Sequence, residues 1–256
     1  MGIDMKLEAL IFDVDGTLAD TEEAHRIAFN RAFSDAGLDW NWNRDRYGKL
    51  LAVTGGKERI RHYIEKYRPD FRKPENFSEY VADLHKHKTQ HYTELLKGGD
   101  LPLRPGVLRL IQEAHDQGLR LAIATTTSPA NIEALLKYSA PRDTADWFEV
   151  IADSQAAPIK KPAPDVYDFV LDKLQLAPGQ CMAFEDSENG IKAAQAAGLK
   201  TIITVNDYTR EHPFDGAAIV LDKMGEPDDP FTVLSDTAIN GASYLDLALV
   251  ERLHGV

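Results

Sequence analysis

The stretch Ala9-Leu10-Ile11-Phe12-Asp13-Val14-Asp15-Gly16 constrains the fold of this chain more than any other. Four apolar residues in a row predict a buried strand that stops at the Gly16 turn. In open α/β sheets, ligands bind at the carboxyl ends of the strands, and Asp13 and Asp15 sit at that end. If the backbone stays extended, the period of two puts both carboxylates on one side. Two carboxylates ~4 Å apart repel by about 4 kcal/mol at an effective dielectric of about 20. Such a pair needs a proton or a cation between its members, and Mg²⁺, a hard divalent ion, suits oxygen ligands. The other reading is a strand-end turn with two solvated acids.

Beyond Leu18 the pattern turns helical. Asp20 or Thr21 is placed to cap a helix with the stripe Ala24, Ile27, Ala28, Ala32 and Phe33, ended by Gly37. An aromatic segment from Trp40 to Tyr47 and the turn Thr54-Gly55-Gly56 lead into a helix carrying Ile60, Tyr63, Ile64 and Tyr67. A long helix follows from about Phe77 to Leu96, and Lys97-Gly98-Gly99-Asp100 reads as a hinge. The expected organisation is an α/β core over 1–19 and 99–256 with a small helical domain inserted over 20–98.

After the insertion, strands and helices alternate. A helix over Pro105 to Gln117, with the proline near its first turn, precedes the strand Leu119 to Ala124. That strand runs into Thr125-Thr126-Thr127-Ser128-Pro129, where hydroxyls and helix N-terminal amides make an anion site. Plain capping of the next helix by Ser128 is the alternative. The loop Lys160-Lys161-Pro162-Ala163-Pro164-Asp165 precedes another helix, with Lys160 expected as a solvated neighbour of Lys161. The strand Cys181 to Phe184 delivers Glu185-Asp186-Ser187 to a helix start, either as a charged cap or as a pair of metal ligands. Further strands are expected over Lys200 to Val205 and Ala217 to Val220, with a last helix in the tail.

The net charge of −12 argues against nucleic acid or an anionic membrane as the main partner, since no basic excess exists to neutralise phosphate backbones. The single cysteine, Cys181, lies in an apolar run and is expected as a core residue. No apolar run approaches the length of a membrane span, and Met1 to Leu10 lacks the pattern of a signal peptide. The expectation is a soluble cytoplasmic protein, monomeric, acting on a small molecule.

Four of these stretches in order, DVDGT, ATTTS, KKPAPD and FEDSENG, resemble the four motifs of the haloacid dehalogenase superfamily. The resemblance implies a Rossmann-like parallel-sheet core with an inserted α-helical cap, and Mg²⁺-dependent phosphoryl transfer. By this likeness Asp13 is the nucleophile and Asp15 the general acid/base. Thr125, the Thr126 amide and Lys161 bind the phosphoryl oxygens. Asp13, the Asp15 carbonyl and Asp186 hold the metal, and Glu185 ligates it directly or through water. The stretches DVDGTLADTEEAH, TGGKERI and KKPAPDVY further resemble the CbbY branch, associated with the Calvin cycle. That branch implies hydrolysis of xylulose 1,5-bisphosphate, an inhibitor of Rubisco, to xylulose 5-phosphate. Lys57 and Arg59, with Gly56 beside them, become candidates for the distal phosphate, and Glu22, His25 and Tyr47 for the sugar hydroxyls. Helix charge, a solvated arginine and cap packing are the plain readings of Glu22, Arg59 and Tyr47. A sugar-phosphate mutase of the β-phosphoglucomutase kind shares the cap and the His25 and Lys88 positions, and a phosphoglycolate-type phosphatase shares the motifs. A receiver-like phosphoaspartate module is the non-enzyme alternative, disfavoured by the insertion and by Asp15.

Overall fold

Along the central strands bulky and small side chains alternate, and this alternation decides how closely helices approach each sheet face. The computed structural model describes residues 6–99 and 101–255. Residues 1–5, Asp100 and Val256 lie outside the described residues, and with them the start of the chain and the last residue of the expected hinge. Six strands form one sheet in the order β3-β2-β1-β4-β5-β6. They are β1 (Ala9–Phe12), β2 (Arg120–Ala124), β3 (Phe148–Ala152), β4 (Cys181–Glu185), β5 (Lys200–Thr204) and β6 (Ile219–Leu221). Every pairing is parallel. Strand order reverses between β1 and β4, the point at which such sheets open a crevice for ligands.

One face carries Leu10, Phe12, Leu121, Ile123, Met182 and Phe184. It packs on α5 (Val107–Asp116), α6 (Pro129–Ser139) and α9 (Leu247–His254). The other face carries Ala9, Ala122, Ala124 and Ala183, with Ile11 its one bulky residue on β1. Small side chains there let α7 (Asp165–Leu174) and α8 (Glu188–Ala196) lie close, which brings Tyr167 to the sheet. Cys181 is buried on this face with its thiol pushed up to about 12 by burial.

Between β1 and β2 run α1 (Glu22–Asp35), α2 (Arg44–Leu50), α3 (Gly56–Tyr67) and α4 (Phe77–Lys97). They enclose an aromatic core of their own built on Phe29, Phe33, Trp40, Trp42, Tyr47 and Tyr63. Periodicity does not announce α2, because seven residues with two buried side chains, Tyr47 and Leu50, carry too little pattern. Asn43 starts it by accepting from the Arg46 amide at 2.8 Å. Pro105 falls outside α5, which begins at Val107 because Gly106 takes the left-handed N-cap position at φ 89°. No helix among the described residues is long and apolar enough to cross a membrane.

Candidate active site

Phe12 stacks on Phe184 with ring centroids 4.4 Å apart, locking the ends of β1 and β4 side by side. The Asp13 amide donates to the Phe184 carbonyl at 3.0 Å, so Asp13 emerges beside Glu185 and Asp186. One oxygen from each of these three buried carboxyl groups lies within 4.8 Å of the others. Lys161 Nζ reaches in from the loop before α7 and donates to Asp13 Oδ1 at 2.8 Å, the Ala124 carbonyl at 2.9 Å and Glu185 Oε1 at 2.5 Å. Tyr167 OH donates to the same Glu185 oxygen at 2.5 Å. Asn206, just past β5, donates from Nδ2 to Asp186 Oδ2 at 2.7 Å. Gly190 sits where any Cβ would overlap the Glu185 carboxyl, so the helix start and this carboxyl share one space only because the residue is glycine.

One lysine does not balance three buried carboxylates. Burial, with Glu185 and Asp15 adding to it against the pull of Lys161, pushes the Asp13 carboxyl up to about 7. Burial and the neighbouring Asp13 and Glu185 push Asp186 well above the usual carboxylate range. Burial alone would lower the Lys161 ammonium, but Asp13 and Glu185 outweigh it and raise it. Glu185 Oε2 is buried without a hydrogen-bond partner. An all-oxygen donor set with surplus negative charge and an unpartnered carboxylate oxygen fits a hard divalent cation.

Asp15 does not join this cluster through its side chain. The strand ends at Phe12, and the following turn directs the Asp15 carboxyl toward the helical insertion. Asp15 Oδ1 accepts from Thr21 Oγ1 at 2.6 Å and from His25 Nε2 at 2.9 Å. The His25 Nδ1 accepts from Lys88 Nζ at 2.7 Å, which assigns the proton to Nε2. His25 stacks on Tyr92 at 4.1 Å, and Lys88 lies over the rings of Phe29 and Tyr92. Burial would raise the Asp15 carboxyl, but His25, Thr21 and Lys88 overcome it and hold the group well below the usual range. Burial pushes Lys88 down to about 7, and burial with Lys88 lowers His25.

A cavity of about 920 Å³ lies between the strand ends and the helical insertion. Asp13, Asp15, Thr125, Thr126, Lys161, Glu185 and Asp186 line its floor, and Glu22, His25, Gly56, Lys57 and Arg59 its opposite wall. Of the expected site residues Tyr47 alone is set back from it. Its buried hydroxyl donates to Glu22 Oε2 at 2.7 Å and accepts from Arg59 Nη1 at 3.0 Å, so it positions two lining residues. Ser128 stands at the N-cap of α6 but makes no capping bond with its side chain. Thr21, a candidate helix cap, is turned to Asp15 instead. Lys160 is more than a solvated neighbour: partly exposed, it pairs with Glu58 of α3 at 2.8 Å.

Sequence reasoning missed His85, Tyr167, Asn206 and Arg104. The Arg104 guanidinium is buried, faces Asp20, and donates to the carbonyls of Gly16, Thr204, Val205 and Asp222. It thereby fastens the loop after Asp15 to the ends of β5 and β6.

Residues 7–198 match the family model for haloacid dehalogenase-like hydrolases. The plasmid-encoded CbbY protein of Cupriavidus necator is 50% identical over 250 residues, covering 97% of each chain. The crystal structure of a Rhodobacter sphaeroides CbbY variant in complex with xylulose 1,5-bisphosphate is 44% identical at a TM-score of 0.79, covering 85% of this chain and 94% of that one. A β-phosphoglucomutase from Clostridium difficile shares the fold at 22% identity and a TM-score of 0.68, over 85% of this chain and 91% of that one. The chain belongs to the haloacid dehalogenase-like hydrolases and is a phosphatase of that family.

Proposed function

We propose that the enzyme is a Mg²⁺-dependent sugar-bisphosphate phosphatase whose substrate is xylulose 1,5-bisphosphate and whose product is xylulose 5-phosphate. The observation that carries this reading is one cavity with two cationic ends. Lys161 and the α6 N-terminus stand at the strand ends, and Lys57 and Arg59 stand across from them on α3. A bisphosphate fills both ends, whereas a monophosphate leaves one idle. The relative crystallised with xylulose 1,5-bisphosphate supports the choice of sugar. In this reading 20–98 forms a cap over a core made of 1–19 and 99–256.

Asp13 attacks phosphorus and forms an aspartyl phosphate while the P–O bond to the sugar breaks, dividing one difficult displacement into two. Thr125, the Thr126 amide and Lys161 hold the phosphoryl oxygens, Lys161 already standing 2.8 Å from Asp13. Asp15 gives its proton to the departing sugar oxygen and then takes one from the water that cleaves the aspartyl phosphate. In the structure Thr21 and His25 keep Asp15 ionised, the state in which it acts as base. A phosphate dianion arriving beside it raises its affinity for a proton, which supplies the acid. Asp13, Asp186 and Glu185, with the Asp15 carbonyl, would hold the metal. Mg²⁺ held there would supply positive charge to offset that of the transferring phosphoryl group.

The test is phosphate release with Mg²⁺ from xylulose 1,5-bisphosphate, ribulose 1,5-bisphosphate and β-glucose 1-phosphate. The expected result is strong preference for the xylulose compound with one phosphate released per molecule. Slow release from all three, with glucose 6-phosphate appearing from β-glucose 1-phosphate, would replace hydrolysis by a mutase reaction.

A further inference from the structure

Lys160 adjoins Lys161 in the chain but serves the other end of the cavity. Its Nζ donates to Glu58 Oε2 at 2.8 Å, joining the loop before α7 to the first turn of α3 across 102 positions of sequence. Both side chains line the cavity that holds Asp13. The pair rests directly on the turn that opens α3. A Cβ on Gly55 would overlap Glu58 Oε2 and stand 2.5 Å from Lys160 Nζ, and Gly55 takes φ 96°, so only glycine lets the backbone lie beneath the pair. Around it the wall is cationic: Lys57 and Arg59 flank Glu58 in the chain, and Lys88 stands behind. The imidazole of His85 registers that field, pushed down to about 3 by burial and by Lys88, Lys57 and Lys160. In this setting the Glu58 carboxylate takes the place of an anionic ligand.

We propose that Glu58 is an internal competitor for Lys160, displaced by the distal phosphate when substrate binds and returning to Lys160 to expel the monophosphate product. The inference rests on the two-phosphate reading above. A phosphate dianion offers Lys160 three strong acceptor oxygens against the two of a carboxylate. A bisphosphate also anchors at the strand ends, so it holds long enough to displace Glu58. After hydrolysis the product keeps only the distal contact. Glu58, tethered beside Lys160 and therefore at high effective concentration, retakes it. Partly exposed ion pairs are held weakly, which suits a contact exchanged on every turnover.

The inhibition constant of xylulose 5-phosphate, with xylulose 1,5-bisphosphate as substrate, tests this in the wild type, Glu58→Gln, Lys160→Met and the double variant. Glutamine keeps the shape of Glu58 and removes its charge. The expected result is product binding tightened roughly tenfold by Glu58→Gln alone, and no tightening by the same change when Lys160 is already methionine. An unchanged inhibition constant in Glu58→Gln, or equal tightening without Lys160, overturns the proposal. Wild-type turnover in the same assay separates the two ideas. Release of one phosphate from the bisphosphate with no effect of Glu58→Gln overturns the competitor alone. Absence of release overturns the two-phosphate reading and the competitor with it.

Discussion

Asp13 and Asp15 are two residues apart and lie in opposite fields. Asp13 shares its surroundings with Glu185 and Asp186 against a single ammonium, and burial, with Glu185 and Asp15 adding to it, lifts its carboxyl to about 7. Asp15 faces Thr21, His25 and Lys88, and its carboxyl is held well below the usual range. Environments that push two carboxyl groups apart in this way assign them different work. The field around Asp13 is built by the strand ends, and its surplus negative charge fits a cation. The field around Asp15 is built by the helical insertion, since His25 lies on α1 and Lys88 on α4. The charge state of the proposed acid/base is therefore tied to the placement of the helices above it.

Three changes break this contrast, in order of expected effect. Asp13→Asn removes the proposed nucleophile and should lower phosphate release by roughly 10⁴-fold or more. Circular dichroism should stay native, because the change also relieves carboxylate crowding. Activity within tenfold of wild type would remove Asp13 from the mechanism. Chelation should abolish turnover, and Mg²⁺ at a hundred times its dissociation constant should restore it and stabilise the fold by about 2.7 kcal/mol. At this chain length that is a rise in melting temperature of roughly 5–10 °C. Asp186→Asn should lose the rise, whereas His25→Gln should keep it, because Asp15 stands outside the carboxylate cluster. Equal loss in both variants would mean that the two fields are one site. His25→Gln should itself lower kcat by roughly 10–100-fold. It also removes a group that holds the Asp15 carboxyl down, so the acidic limb of the pH profile of kcat/KM should move to higher pH.

Legibility in the sequence followed the distance over which each contact is made. Asp13, Thr125 and Asp186 directly follow apolar strands, so local pattern places each on the rim of the sheet, whereas Lys161 stands late in the loop between β3 and α7. The direction of a side chain beyond that rim is a tertiary matter. The period of two predicted Asp13 and Asp15 on one side, but the strand stops at Phe12 and the turn parts them. Tyr167 reaches Glu185 because the sheet face beneath α7 is lined with alanine, a property of three strands together. Arg104 meets its carbonyl partners up to 118 residues away, and Tyr47 meets Glu22 and Arg59 behind the cavity wall. The helical insertion was legible from its periodic stripes except α2, whose two buried residues make no stripe.

Lys88 gives the finest test of the second field. Its ammonium is buried between Phe29 and Tyr92 with His25 as its hydrogen-bond acceptor, and burial lowers it from the ordinary lysine value of 10.5 to about 7. Between those values the unfolded chain binds a proton that the folded protein has released. Wild-type stability therefore rises with pH across this window, and below its lower end the cost of the buried charge is present in full. Lys88→Met removes the charge and keeps most of the apolar stem. It should raise stability at pH 7 by on the order of 3 kcal/mol, and the gain should shrink as pH is raised from 7 toward 9.5. The same variant should lower kcat, since it deprives Asp15 of part of the positive field that keeps it ionised. Thermal melts of both proteins across that pH range check the sign. A loss of stability in Lys88→Met that stays constant over this range would show that Lys88 keeps its proton in the folded enzyme and stabilises it, and the field around Asp15 would then be a structural ion network instead of a strained functional one.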